Sequence, residues 1–200
     1  MTPSFLVGLR LEGRQALVVG SGGDAVERAR ALLDAGAHVT LCTPGLDAEV
    51  QAFAENADVT VCTGPVPDAS IDAAFLTVLV DRDPALAERL GAHAQRHQRL
   101  FCAVDQPAEN SFHHVAILRE GPLSIGIASA GSAPALARRL REELSRVFAA
   151  AGLGEFAQRL AALRQRLPPA KRAERLTQLL SELRLSGSLT LPRLDDDREE

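Results

Sequence analysis

The chain contains no tryptophan and no tyrosine, and aromatic residues make up only 4% of its 200 positions. The platforms on which nucleic-acid bases usually stack are therefore missing. No excess of positive charge replaces them. Lys and Arg number 22 against 26 Asp and Glu, a formal net charge of −4, so no global basic field recruits a polyanion. No nucleic-acid partner is expected. No apolar run approaches the roughly 18 residues that a membrane span requires. The opening Met1-Thr2-Pro3-Ser4-Phe5 lacks the basic region and long apolar core of a secretory signal. The expectation is a cytoplasmic protein with no membrane association. Cysteine is scarce too. Cys42, Cys62 and Cys102 are odd in number, lie in apolar runs and form no C-x-x-C pair. That predicts buried reduced thiols and argues against a zinc site.

What is present is enough to fold. A hydrophobic share of 46% over this length can bury a real core. Residues 15–19 read as a buried strand, and Ala25–Ala35 has helical spacing that Gly36 stops. His38–Cys42, Val59–Cys62, Ala73–Val80 and Leu100–Val104 read as further strands, with helices over Asp47–Asn56 and Pro84–His97. Strand and helix alternating at this pace predict α/β architecture with a parallel sheet. The alternation stops near Asp105. Residues 112–118 and 122–128 suggest a hairpin joined by Arg119-Glu120-Gly121. From Ala133 onward the chain reads as helical, broken at Pro168-Pro169 and ended by Ser186-Gly187-Ser188.

Gly20-Ser21-Gly22-Gly23-Asp24-Ala25 follows a strand and opens a helix, so it matches G-x-G-x-x-A in the context that a dinucleotide turn requires. The first glycine allows the tight turn and the second lets a pyrophosphate approach. The small Ala25 lets the helix pack on the strand. A glycine turn without a ligand is the bland alternative, and Asp24 is unwelcome beside phosphates. Thr43 and Pro44, at the end of the second strand, join the candidate cofactor contacts. The acidic residue that usually holds the adenosine ribose is not evident there; Asp47 comes three residues after Pro44, and no arginine stands ready for a 2′-phosphate. This chemistry favours NAD over NADP.

Three segments in this order resemble the siroheme-synthase amino-terminal family, the precorrin-2 dehydrogenases, some of which are also sirohydrochlorin ferrochelatases. The first is the glycine turn with its helix and "LLDAGAHVT". The second is "VDQPAENSF" at Val104–Phe112, similar to the family's "VDxPxxxSF". The third is "GPLSIGIASAGSAPALARRLREEL" at Gly121–Leu144. Departures are visible as well: Gly20-Ser21-Gly22 replaces three successive glycines, and Val80–Ala87 lacks the family's threonine and asparagine.

The resemblance implies a Rossmann-like NAD-binding domain over 1–112, a dimerisation region over 113–148 and a helical carboxyl-terminal part over 149–192, with the acidic tail 193–200 read as disordered. It implies a homodimer, with the active site between cofactor domain and dimerisation region. Precorrin-2 and sirohydrochlorin would be the tetrapyrrole ligands, and ferrous iron a further substrate. It places the functional aspartate at Asp105, where a carboxylate can take a proton while the nicotinamide takes a hydride; the alternative is an aspartate that merely starts a turn. Ser129, Gly131 and Ser132, with Ser132 as expected N-cap, would seat the substrate's carboxylate arms. Arg138 would add charge.

No metal ligands are expected in the chain itself. His113 and His114, adjacent in a strand, would point to opposite faces. His93 and His97 share a polar helix face, read as solvated. The stripe of Leu160, Leu163, Leu167, Leu176, Leu179, Leu180 and Leu183 reads as core. Two other functions stay open: a non-catalytic NAD-binding sensor or regulatory subunit, and an oxidoreductase acting on another multi-carboxylate substrate.

Overall fold

In the computed structural model, which describes residues 5–129 and 131–191, the first half of the chain forms one parallel sheet. Its strands are β1 (Gln15–Val19), β2 (His38–Thr43), β3 (Val59–Thr63), β4 (Leu76–Leu79) and β5 (Leu100–Ala103), in the spatial order β3-β2-β1-β4-β5. Every pairing is parallel. Side chains alternate across the sheet with period two. Val18 therefore joins Ala25, Ala29, Val50 and Phe53 on one face. Leu17 and Val19 join Ile71, Leu90, Ala94 and Phe101 on the other. A strand buried on both faces needs a continuous apolar run, which Ala16–Val19 supplies.

The helices of this unit are α1 (Gly22–Asp34), α2 (Ala48–Asn56), α3 (Asp68–Ala73) and α4 (Pro84–Arg96). α3 has no counterpart in the sequence reading. It takes Ala73 out of the expected strand, which begins only at Leu76. Ile71 is its single buried residue, too little periodicity to announce a helix.

The thiol expectation is half corrected. The register sets Cys42 of β2 opposite Cys62 of β3, and the two form a disulfide with Cα atoms 4.7 Å apart, within bonding reach. They are separated by 20 residues, so only the strand register reveals the pair. Cys102 is the buried free thiol. Burial pushes its pKa up to about 11 against the opposing effects of Arg28 and the His114 backbone, which leaves it inert at neutral pH.

The chain divides into two compact units between Val115 and Ala116. The second contains the antiparallel hairpin β6 (Ala116–Glu120) and β7 (Leu123–Ile127), then α5 (Pro134–Ala150), α6 (Leu153–Arg166) and α7 (Pro169–Leu180). The hairpin is shorter than expected and turns at Gly121-Pro122, with Gly121 at φ +57°, a conformation two-residue hairpin loops demand. α7 ends at Leu180, ahead of Ser186. The leucine stripe is not core. Leu160, Leu163, Leu167 and Leu176 are half-buried, and Leu179, Leu180 and Leu183 are exposed. The acidic tail 193–200 lies outside the described residues.

Candidate dinucleotide site

The glycine turn leaves β1 beside β4, where the strand order reverses and ligands bind in open α/β sheets. Gly20 has φ +147°, and a Cβ there would lie 2.8 Å from Val80 Cβ and 3.2 Å from the Asp81 nitrogen. Only glycine fits. Its N–H donates to the Cys42 carbonyl at 2.9 Å, which pins the turn between the ends of β2 and β4. Gly22 is glycine for a different reason. Its φ is +67°, yet a Cβ would meet nothing nearer than Glu49 Oε2 at 3.9 Å. The space over it is open, as the approach of a ligand requires. Ala25 is fully buried against the sheet.

The N–H groups of the turn divide into two sets. Ser21 N–H donates to Asp81 Oδ1 at 3.1 Å, and its hydroxyl contacts the same oxygen at 3.3 Å. Gly22 N–H donates to Asp47 Oδ2 at 2.8 Å. The N–H groups of Gly23 and Asp24 have no acceptor among the described residues, as first-turn N–H groups of a helix lack one until an anion binds, and Glu49 Oε2 lies 2.9 Å from where a Gly23 Cβ would stand. The Asp24 side chain is exposed. Neither Asp47 nor Asp81 figured among the expected site residues. The available signal was Asp47 three residues ahead of Val50, the spacing of a helix cap. Its Oδ1 accepts from Val50 N–H at 2.8 Å. Bonds from the N–H groups of Val50, then Gly22, then Glu49 hold its carboxyl below the usual value of 3.8.

Beside the turn lies a cavity of about 550 Å³, lined among others by Val19, Thr43, Pro44, Val66, Leu86 and Arg89. Thr43 contributes wall rather than a free hydroxyl, since it is buried and donates to the Gly45 carbonyl at 2.8 Å. The apolar lining and volume suit a planar heteroaromatic group. With the open space at Gly22 and the two unpartnered N–H groups, these residues fit a nicotinamide dinucleotide.

Asp105 follows β5 on the same sheet edge. Its φ is +57°, and Oδ2 accepts a 2.8 Å bond from the Arg82 guanidinium, both side chains being largely exposed. Gln106 donates to the Asp81 carbonyl at 3.3 Å, while its Oε1 is buried without a partner among the described residues. The rest of "VDQPAENSF" is structural. Asn110 Oδ1 accepts from Ala103 N–H at 2.6 Å, Asn110 Nδ2 donates to the Ala103 carbonyl at 3.0 Å, and Ser111 Oγ accepts from Phe101 N–H at 2.8 Å. They satisfy the free edge of β5 as a further strand would.

The other candidates belong to the second unit. Ser132 is not the N-cap of α5; Ala133 is, without a side-chain cap bond. The Ser132 hydroxyl instead donates to the Ser129 carbonyl, which closes the turn through Gly131 at φ +79°. Ala130 lies outside the described residues. Arg139 and Arg141 pair with Glu142 or Glu143, whereas Arg138 is exposed with no ion pair among the described residues.

His113 and His114 precede β6 and are not in a strand. His114 sits edge-on to Phe112. Although the residue keeps an exposed surface, desolvation of the ring, then the charges of Arg28 and His113, lowers its pKa to about 4. His93 is not solvated as expected: its side chain is 18% exposed, 3.4 Å from Asp72, and stacks on His97. No group of three metal-binding side chains occurs among the described residues, and none of their helices is long and apolar enough to cross a membrane.

A parallel sheet with a glycine turn at its switch point, free N–H groups and an apolar cavity defines a dinucleotide-binding unit of the Rossmann kind. A family model described as putative NAD(P)-binding matches residues 7–116, more than half of the chain. The protein belongs to that family. A second model, described as sirohaem biosynthesis protein central, matches residues 120–146. Siroheme synthase 1 of Aeromonas hydrophila subsp. hydrophila is 36% identical over 185 residues, 90% of this chain and 40% of that protein. The siroheme synthase of Escherichia fergusonii is 35% identical over 159 residues, 79% of this chain and 34% of that protein. The chain thus spans less than half the length of these relatives. Among solved structures, one titled "SirC, precorrin-2 dehydrogenase" superposes with a TM-score of 0.73 over 90% of both chains at 24% identity, a likeness of fold.

Proposed function

We propose that this chain dehydrogenates precorrin-2 to sirohydrochlorin with NAD, as a cytoplasmic homodimer. The observation that carries the reading is a dinucleotide turn with two N–H donors still free, in a chain aligned over 90% of its length with a siroheme synthase. The match of residues 120–146 to a sirohaem biosynthesis model and the likeness to a structure titled precorrin-2 dehydrogenase support the same substrate.

In this reading Gly23 and Asp24 N–H bind the pyrophosphate, Gly20, Ser21, Gly22 and Ala25 shape the turn, and Thr43 and Pro44 wall the adenine. NAD, when bound, supplies the hydride acceptor. The Asp105 carboxylate takes the proton that leaves the macrocycle, and Arg82 holds that carboxylate in place. Ser129, Gly131, Ser132 and Arg138 receive acetate and propionate arms. Ferrous iron enters, where it is inserted, as a second substrate, and Asp105 collects the displaced pyrrole protons.

The test is to mix purified protein with precorrin-2 and NAD and follow the absorbance of sirohydrochlorin, then to add ferrous iron. Product forming with NAD is the expected result. No product with either NAD or NADP, while dinucleotide still binds, would leave the sensor reading in its place.

A further inference from the structure

We infer that the Cys42–Cys62 pair is a redox gate on the dinucleotide site: oxidised, it holds the cavity in its binding shape, and reduction by a dithiol releases it. The inference rests on the nicotinamide reading above, which assigns the cavity beside the glycine turn to the cofactor. Both strands joined by the bond end at that cavity. β2 runs from Cys42 into Thr43 and Pro44, which form one wall. β3 runs from Cys62 towards Gly64, Pro65 and Val66, which form another. Cys42 itself lines the cavity, and its carbonyl accepts the N–H of Gly20. The bond therefore ties the strand that anchors the glycine turn to the strand that carries the second wall.

Little else holds that second wall. β3 is an edge strand, paired to β2 alone, and none of its residues is fully buried. Past its end, Gly64 N–H donates to the Thr43 carbonyl at 2.9 Å, and the next buried side chain is Ile71 of α3. A segment so lightly anchored opens locally at low cost, so a covalent tie to the buried β2 matters more here than in mid-sheet. The two cysteines differ in access. Cys42 is 1% exposed, whereas Cys62 is half-buried. The thiolate of a dithiol attacks the Cys62 sulfur; the S–S bond breaks, and Cys42 leaves as a thiolate that takes up a proton. The second thiol then attacks the mixed disulfide, frees the Cys62 thiol and leaves the reductant as a disulfide. Two electrons and two protons pass from the dithiol to the protein. Linkage makes the gate reciprocal: a bond that favours cofactor binding is itself favoured by bound cofactor, by the same factor.

The experiment titrates NAD⁺ into the full chain by calorimetry, before and after reduction with excess dithiothreitol, and into Cys62→Ser. Reduction should weaken NAD⁺ binding at least about fivefold, and reoxidation should restore it. Cys62→Ser should bind like the reduced protein and ignore dithiothreitol. A second measurement reads, by alkylation, the ratio of reduced to oxidised dithiothreitol at which half of the pair is reduced. Saturating NAD⁺ should raise that ratio by the same factor. Circular dichroism follows the fold in each state. Equal affinity before and after reduction overturns the gate, as does a midpoint that NAD⁺ leaves unmoved. So does a pair that excess dithiothreitol leaves oxidised, or a reduced chain that unfolds as a whole. Should Cys62→Ser fail to fold, the wild-type measurements decide alone. An oxidised and a reduced chain that both bind no dinucleotide overturn the nicotinamide reading itself, and the gate with it.

Discussion

At position 105 the backbone holds φ at +57°, a conformation that aspartate and asparagine tolerate better than other non-glycine residues. Asp105→Asn therefore keeps the turn while removing the proton acceptor and the charge of the exposed pair with Arg82, a pair worth little to stability. Turnover with precorrin-2 and NAD should fall by about 10²–10⁴-fold, with NAD⁺ affinity and melting temperature unchanged; near-normal initial rates would take Asp105 out of the chemistry. Gly20 is the opposite case, a residue demanded by packing. Its absent Cβ would stand 2.8 Å from Val80 Cβ, so Gly20→Ala should cost about 2–4 kcal/mol in urea unfolding through overpacking and strain. The cysteines give a simpler readout. A disulfide between neighbouring strands is uncommon in cytosolic proteins. Alkylation of the denatured, unreduced protein should label one thiol, Cys102, and labelling after reduction should reach all three cysteines. Three labels before reduction would return Cys42 and Cys62 to the free state.

The first turns of α1 and α2 depend on each other through Asp47. Its carboxyl is held below 3.8 by N–H bonds, that of Val50 foremost. A depressed carboxyl contributes stability that is present above the unfolded value and is lost as pH falls through the folded one. The cap should thus support both helices at neutral pH, begin to weaken only as pH falls under the usual 3.8 and be lost at the lower folded value, and Asp47→Ser should remove that part of the acid transition in a pH series of melting curves. Gly22→Val tests the turn itself. A β-branched residue at φ +67° is strained by about 1–3 kcal/mol but meets no clash, so the chain should stay folded while NAD⁺ binding drops below detection by calorimetry. The G-x-G-x-x-A turn, the apolar runs of β1, β2 and β5, and Pro84 at the start of α4 were legible because each is a local pattern. α3 was not, with Ile71 as its only buried anchor. The Cys42–Cys62 bond and the reach of Asp47 to Gly22 depend on which strand and helix end lie side by side, and that is absent from any one segment. Ser132 misled because a hydroxyl one residue ahead of the true cap closed its own turn instead.

The two units differ sharply in what they bury. The first holds the two core clusters around the sheet. Among the described residues of the second, only Leu118 and Ala137 are buried, at 3% and 5% exposure. Ile117, Leu123, Leu136, Val147 and Phe156 of that unit remain open at 37% to 52%. Two buried side chains cannot offset the conformational entropy of ordering a hairpin and three helices, and apolar residues left open at this density mark an interface. A second copy of the same surface is the simplest cover, because an isologous contact closes on itself. Light scattering at micromolar concentration should therefore give twice the chain mass of 21.3 kDa. Leu136→Glu, on α5 and outside the dinucleotide turn, should shift that mass toward one chain while NAD⁺ still binds the first unit. Wild type found only as a monomer across a dilution series would remove the homodimer. A dimer untouched by Leu136→Glu and by Val147→Glu would move the interface away from α5.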